Sequence, residues 1–292
     1  MAVGFVGLGA MGLPMARNLV GAGFAVCGFD LRAAAGAALT EAGGSAASSA
    51  AAACQGADAV VLMVVNLAQA ETVLFTDGAL AALAPGAVVV LTATCPPGAV
   101  AALAAKVEAA GYLFVDAPVS GGVVGAEAAG LTIMAAGSDA AFDAVQKLLA
   151  TMGSKLIRVG KIPGQGATAK AVNQLLCGVH LAVAAEALSL AEKLGVDTAV
   201  MLDIVGGSAA SSWMLRDRGP RMLESDPLVT SAVDIFVKDL GIVLEAGRDA
   251  KAALPIAALA HQMFLSVSGR GLGAVDDSQI IRAYRSLQGR DH

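Results

Sequence analysis

The first thirty residues constrain the chain most. Val3-Gly4-Phe5-Val6 runs into Gly7-Leu8-Gly9-Ala10-Met11-Gly12, an amphipathic stretch follows from Leu13 to Leu19, and a second apolar run from Ala25 ends at Asp30. The order reads strand, glycine turn, helix, strand, acidic residue. Gly7 permits the tight turn, Gly9 lets the backbone approach a diphosphate, and Gly12 lets the helix pack close to the strand, while the helix N-terminus offers N–H groups to phosphate oxygens. Asp30 follows Gly12 by 18 residues, close to the ~20 at which a carboxylate meets a ribose 2'-hydroxyl. Gly7 to Gly12, with Leu8, Ala10 and Met11 between the glycines, is therefore a candidate dinucleotide site; an ordinary strand-to-helix turn is the alternative. Asp30 repels a 2'-phosphate and so favours NAD, whereas Arg32 beside it leaves NADP open.

From residue 1 to about 160, short apolar runs alternate with alanine-rich helical segments. Ala59 to Val65, Ala87 to Leu91, Leu113 to Val115, Leu131 to Ala136 and Leu156 to Val159 are candidate strands. Continuous apolar strands between helices predict a parallel sheet covered on both faces. Gly43 to Ala57, rich in alanine and serine, fits a helix and its cap. Beyond Ile162-Pro163-Gly164 a long helix is expected from Ala167 to Leu194, ending at Gly195, and strand signals then disappear. Helices are expected near Thr198 to Val205, Ala232 to Ala250, Ile256 to Ser268 and Ser278 to Ser286, the last capped by Asp276 or Asp277. The expected architecture is α/β: a Rossmann-type doubly wound domain (1–162), a connecting helix (163–194) and an all-helical domain (195–292).

Composition narrows the function classes. Of 292 residues 57% are hydrophobic and 15% charged, with a net charge of −5 and no basic block, so a nucleic-acid partner held through its phosphates is not expected. Mean hydropathy is +0.71, and the uncharged run from Gly78 to Ala105 is long enough to test as a membrane span. Pro85-Gly86 and Pro96-Pro97 cut it into pieces typical of helix, buried strand and loop. With no basic region ahead of the first apolar stretch, the expectation is a cytoplasmic protein with no membrane partner. Cys27, Cys54, Cys95 and Cys177 form no Cys-x-x-Cys and read as small thiols in a reducing compartment.

Several segments carry candidate chemistry. Val65-Asn66 and Thr92-Ala93-Thr94-Cys95-Pro96-Pro97 follow apolar strands, and ligands of open parallel sheets sit at carboxyl ends, so these loops should border the cofactor unless they are plain caps. In Asp116-Ala117-Pro118-Val119-Ser120-Gly121-Gly122, successive N–H groups of a Ser-Gly-Gly turn can cradle a carboxylate; a glycine hinge is the alternative. Lys170, Asn173, Gln174 and Cys177 share one face of the long helix. A partly desolvated lysine there would have its pKa lowered and could move a hydroxyl proton, or it could snorkel to solvent. Lys238-Asp239 reads as a solvated helix face. His180 and His261 are isolated, and no cluster has metal-binding spacing. The long apolar helix hints at self-association.

Together these segments resemble the β-hydroxyacid dehydrogenase family, which includes 3-hydroxyisobutyrate dehydrogenases, over essentially the whole chain. The resemblance rests on Gly7-x-Gly9-x-x-Gly12, on Asp116 to Gly122, on Gly164-Gln165-Gly166 followed by Lys170 and Asn173, and on Lys238-Asp239. It implies NAD-dependent oxidation of a small hydroxy acid with Lys170 as acid/base. It further implies that Asn173 and Ser120, Gly121 and Gly122 position the substrate, that Thr94 and Lys238 contact the cofactor near its reactive end, and that the protein is a homodimer or homotetramer. Gln174 to His180, Ser212-Trp213-Met214, Ser231 to Leu240 and Asp276-Asp277-Ser278 look most like the branch acting on L-threonate, although Asn173 stands where that branch often has histidine. Oxidation of 3-hydroxyisobutyrate, reduction of tartronate or succinic semialdehyde, and a non-catalytic nucleotide-binding scaffold are the alternatives; a scaffold needs no Lys170 and Asn173 together.

Overall fold

The computed structural model describes residues 1–289. The chain divides into two compact units, Met1–Lys170 and Ala171–His292. The helix Gln165–Lys193 begins in the first and continues through the second.

The first unit is an α/β layer structure on one sheet of nine strands: β1 (Ala2–Val6), β2 (Ala25–Phe29), β3 (Ser45–Ala46), β4 (Ala59–Leu62), β5 (Val88–Leu91), β6 (Leu113–Asp116), β7 (Val119–Ser120), β8 (Thr132–Ala136) and β9 (Lys155–Gly160). Strands β3-β2-β1-β4-β5-β6 lie side by side and parallel. β4 and β5 are buried at every position. Their alternate residues feed opposite faces: Val61, Val88 and Val90 join one core with Leu8, Met15 and Leu19, while Val60, Leu62, Val89 and Leu91 join another with Val100, Leu103 and Val107. That two-residue alternation makes the strands uniformly apolar, because neither face meets water.

Two local expectations need correction. The sheet is mixed beyond β6: β8 runs antiparallel to β6 and β7, and β9 returns parallel to β8. A parallel crossover needs a dozen or more residues, usually with a helix; β8 and β9 have one between them, Asp139–Met152. Because β9 occupies one edge of β8 along its full length, β6 and β7 share the other, as one strand interrupted at Ala117-Pro118. The second correction falls in Gly43 to Ala57, where Ser45–Ala46 is strand and only Ala50–Cys54 is helix, capped by the Ser49 hydroxyl. Short polar edge strands carry no periodicity to read.

The second unit is helical. Leu181 and Leu188 of the long helix pack with Phe236, Leu240 and Phe264, the two phenyl rings stacked 5.0 Å apart. A helix absent from the expected set, Trp213–Met222, starts at a Ser212 cap and tolerates Pro220 near its end. Buried ion pairs fasten it: Arg218 Nε donates to Asp277 Oδ1 at 2.8 Å, and Arg221 Nη1 to Asp276 Oδ2 at 2.7 Å. Gln165–Lys193 is the one described helix long and apolar enough to cross a membrane, and half of its most apolar window is buried within the protein.

The start of that helix is held by one carboxylate. Asp116, fully buried at the end of β6, accepts the N–H of Gly164 at 2.9 Å and of Ala167 at 2.8 Å through Oδ2. Burial pushes its carboxyl up to about 6, against the pull of N–H groups from Ala167, Gly164 and Gly166. An unfolded aspartate titrates near ~3.9, so the folded chain holds this proton more tightly. The resulting stabilisation is complete below pH ~4 and is lost as pH rises through about 6. Urea unfolding of wild type and Asp116→Asn between pH 4.5 and 8 should show their stability difference moving against wild type up to pH ~6, by at most ~1.4 kcal/mol per pH unit, and flattening above. A difference independent of pH would place the carboxyl at its ordinary value.

Candidate active site

Ladder register sets the geometry. Val6 pairs with Phe29 and with Leu62, Leu62 with Leu91, and Leu91 with Asp116. The carboxyl ends of β2, β1, β4, β5 and β6 therefore stand in one row, and the loops leaving them open on one edge, where open parallel sheets bind ligands.

The glycine turn leaves β1 at this row. Gly7, at φ +94°, donates its N–H to Phe29 O at 2.9 Å. A Cβ there would lie 2.3 Å from Met63 O, and one at Gly12 would lie 1.8 Å from Gly7 O, so both positions require glycine for the fold itself. Gly9 differs: its Cβ would meet only Arg32 Nη2, at 3.7 Å. No side chain caps the helix that starts at Gly12. Leu13 N–H is given to Gly9 O at 3.1 Å and Pro14 has none, so it is the open backbone at Gly9, leading into a helix start without a side-chain cap, that fits the diphosphate of a dinucleotide. Leu8 is buried, Met11 packs on the core and Ala10 is exposed. Asp30 ties the turn together, accepting from Leu8 N at 2.8 Å and from Arg32 N and Nε at 2.9 and 3.0 Å. Burial raises its pKa, but these bonds, the Arg32 side chain foremost, outweigh it and hold the carboxyl below its ordinary value.

The other loops divide by role. Asn66 Oδ1 accepts from Gln69 N at 2.9 Å while Gln69 Oε1 accepts from Val65 N at 2.9 Å, a reciprocal cap on the helix Leu67–Glu71. That bond accounts for Asn66 Oδ1 without a ligand. Thr94 is half-buried beyond β5, ahead of the buried Cys95. Ser120, Gly121 and Gly122 are each half-buried, and Gly121 (φ +130°) and Gly122 (φ +61°) adopt backbone that disfavours side chains. A Cβ on Gly122 would meet nothing within 4 Å, whereas one on Gly121 would meet Leu131.

Lys170 is 6% exposed, one turn beyond the N–H groups that Asp116 holds. In the second unit, Cys177 Sγ lies 3.7 Å from Asn173 Oδ1, and Gln174 Nε2 donates to Asp239 Oδ2 at 2.5 Å. Asp239 is 2% exposed, and its Oδ1 pairs with Lys238 Nζ at 3.1 Å, so Lys238-Asp239 is no solvated face. Adjacent opposite charges in a helix usually face water; here the buried amide of Gln174 offers the aspartate a partner instead. The roles of Asp116 and Gln174 escaped the sequence reading because each bond joins residues 48 or more positions apart. Among the described residues no group of three or more His, Cys, Asp or Glu is placed to hold a metal.

Residues 2–160 match the family model described as the NAD binding domain of 6-phosphogluconate dehydrogenase, and residues 164–284 match that for the NAD-binding region of NADP-dependent 3-hydroxyisobutyrate dehydrogenase. The chain is 43% identical to an L-threonate dehydrogenase of Cupriavidus necator, covering 98% of this chain and 97% of that one. It is 40% identical to an L-threonate dehydrogenase of Escherichia coli K12, at 98% and 95% coverage. A crystal structure of 3-hydroxyisobutyrate dehydrogenase from Salmonella typhimurium superposes with a TM-score of 0.93 at 42% identity, covering 97% of this chain and 99% of that one. With both halves matched in order and the glycine turn built for a dinucleotide, the chain belongs to the NAD-binding β-hydroxyacid dehydrogenase family, the group of the 3-hydroxyisobutyrate dehydrogenases.

Proposed function

We propose that this dehydrogenase oxidises L-threonate to its 2-oxo acid, with Lys170 as the general acid/base. The observation that carries the acid/base role is Lys170 itself: an amine-bearing side chain 6% exposed, on a helix whose start is bonded to the carboxyl row of the sheet. Burying an amine that can carry charge costs free energy that partners must offset, and a buried titratable group near the ligand edge of a sheet is suited to proton transfer. The choice of acid rests on the C. necator and E. coli relatives named for L-threonate and on the resemblance of the C-terminal segments to that branch.

The residues divide the work. Gly7 makes the turn, its own N–H given to Phe29 O; the backbone from Gly9 to Gly12 would receive the diphosphate, and Asp30 would take the adenosine ribose hydroxyls. Thr94 and Lys238 border the reactive end of the cofactor. When bound, NAD supplies the hydride acceptor. The N–H groups of Ser120, Gly121 and Gly122 hold the substrate carboxylate without protonating it, and Asn173 orients the hydroxyl. Lys170 Nζ removes the hydroxyl proton as hydride leaves the carbon, and returns it in the reverse direction. Holding donor and acceptor in place makes the transfer effectively unimolecular.

Val172, Leu176, Val183 and Leu190 are each about half exposed or more, and at ~100° per residue they fall within ~40° of one another around the long helix. Such a stripe suits burial against a second copy of the chain, giving a homo-oligomer. Buried Lys170 and Gln174 in its first turns argue for this use of the helix over a bilayer.

With NAD, purified protein should reduce the cofactor fastest on L-threonate among a panel also holding D-erythronate, 3-hydroxyisobutyrate, D-glycerate and 4-hydroxybutyrate; faster turnover of 3-hydroxyisobutyrate would move the assignment to that acid. Lys170→Ala should lose ~10² to 10⁴ in kcat while still binding NAD, and near-normal turnover would remove Lys170 from the mechanism. kcat/KM should be higher with NAD than with NADP because of Asp30, a conclusion overturned by a clear preference for NADP. Sedimentation equilibrium should find an oligomer that Val183→Glu dissociates; a wild-type monomer at micromolar concentration would rule it out.

A further inference from the structure

Asp116 is fully buried, so it touches neither substrate nor cofactor. Yet its carboxylate joins the two elements from which the proposed chemistry departs. Its Oδ2 accepts from Gly164 N at 2.9 Å and Ala167 N at 2.8 Å. Between them the backbones meet with no room for a side chain: a Cβ on Gly166 would lie 2.5 Å from Met134 O and 2.8 Å from Asp116 O. Gly164, at φ +97°, would place its Cβ 2.8 Å from Pro97 O. The helix start is thus pressed onto the end of β6 and the middle of β8 and pinned there by one side chain.

From this point the chain leads two ways. Along β6 and β7 it runs from Asp116 through Ala117 and Pro118 to the Ser120–Gly122 turn. Along the helix, Lys170 follows Ala167 by one turn. A helical residue advances ~1.5 Å and rotates ~100°, so a slip of one residue at the helix start would swing Lys170 more than a quarter turn. The clamp therefore fixes both how far along and which way the lysine points.

We propose that Asp116 is a positioning residue that sets Lys170 against the Ser120–Gly122 turn, so that the proton acceptor and the carboxylate cradle keep a fixed spacing. The inference rests on the reading of Lys170 as acid/base. An error of ~1 Å between reacting groups can cost ~10² in rate, and the loss should fall on kcat and not on cofactor affinity, because the Gly7 to Gly12 turn hangs from β1, three strands away.

The test measures kcat and KM for L-threonate, the NADH dissociation constant and the thermal midpoint for wild type, Asp116→Asn, Asp116→Ser, Asp116→Ala and Lys170→Ala. Asn keeps an acceptor oxygen for both N–H groups and should hold kcat within ~3-fold. Ala should lose ~10- to 100-fold in kcat with NADH affinity within ~2-fold, and Ser should fall between. If Ala does not fold at assay temperature, Ser carries the comparison. Unchanged kcat in a folded Ala or Ser variant overturns the positioning role. So does an Asn variant as slow as Ala, or a parallel loss of NADH affinity, each of which marks a merely structural carboxylate. If Lys170→Ala keeps its turnover, the acid/base reading fails and the positioning role falls with it; if Lys170→Ala is inactive and Asp116→Ala is not, only the positioning role fails.

Discussion

The in-register parallel ladder is the constraint on which the first unit depends. Because Val6, Phe29, Leu62, Leu91 and Asp116 stand in one row, every loop with candidate chemistry leaves the sheet at one edge. A one-residue slip would send each side chain to the opposite face. Val60 and Val61, now in separate cores, would exchange them, and the apolar packing on both faces would be lost. The packing that stabilises the sheet therefore also aligns the site.

Two carboxylates transmit that alignment outward. Asp30 binds the Leu8 N–H and holds the glycine turn to the end of β2. Asp116 binds Gly164 and Ala167 and holds the long helix to the end of β6. Their environments separate them: Asp30, beside Arg32 and partly exposed, is kept below its ordinary pKa, whereas Asp116, fully buried with only backbone donors, is pushed up to about 6. The charged form of Asp30 is stable where it is expected to meet a ribose, and Asp116 carries a cost that close packing imposes.

Much of this was legible in the residues. Gly7-x-Gly9-x-x-Gly12 with Asp30 marked the nucleotide turn, and continuous apolar runs marked the central strands, because burial on both faces writes itself directly into composition. The long helix ended at Gly195, which has φ +77°, as a terminating glycine should. What stayed hidden depended on distant partners. β3 is two residues long and polar-edged, the reversal of β8 is visible only in its pairing with β6 and β7, and the helix at Trp213 was masked by Pro220. Lys238-Asp239 looked solvated because nothing in its own segment reveals that Gln174 waits 65 residues away. Asn66 read as a site residue or a cap, and its Oδ1 does cap the helix Leu67–Glu71 by accepting from Gln69 N.

The interrupted strand β6–β7 works as a ruler. Asp116 pairs with Ala136 and Ser120 with Thr132, so the chain keeps its direction for four residues past the row before it turns. At ~3.3 Å per residue this carries Ser120 ~13 Å beyond the sheet edge, and three strand steps of ~4.8 Å separate β6 from β1. The offset between the turn expected to cradle a carboxylate and the turn expected to cradle a diphosphate is thus set by two integers, strands across and residues along. Shortening the segment between Ala117 and Val119 would change the reach in quanta of a residue and flip the face that Ser120 presents, so this stretch adjusts only in steps of two.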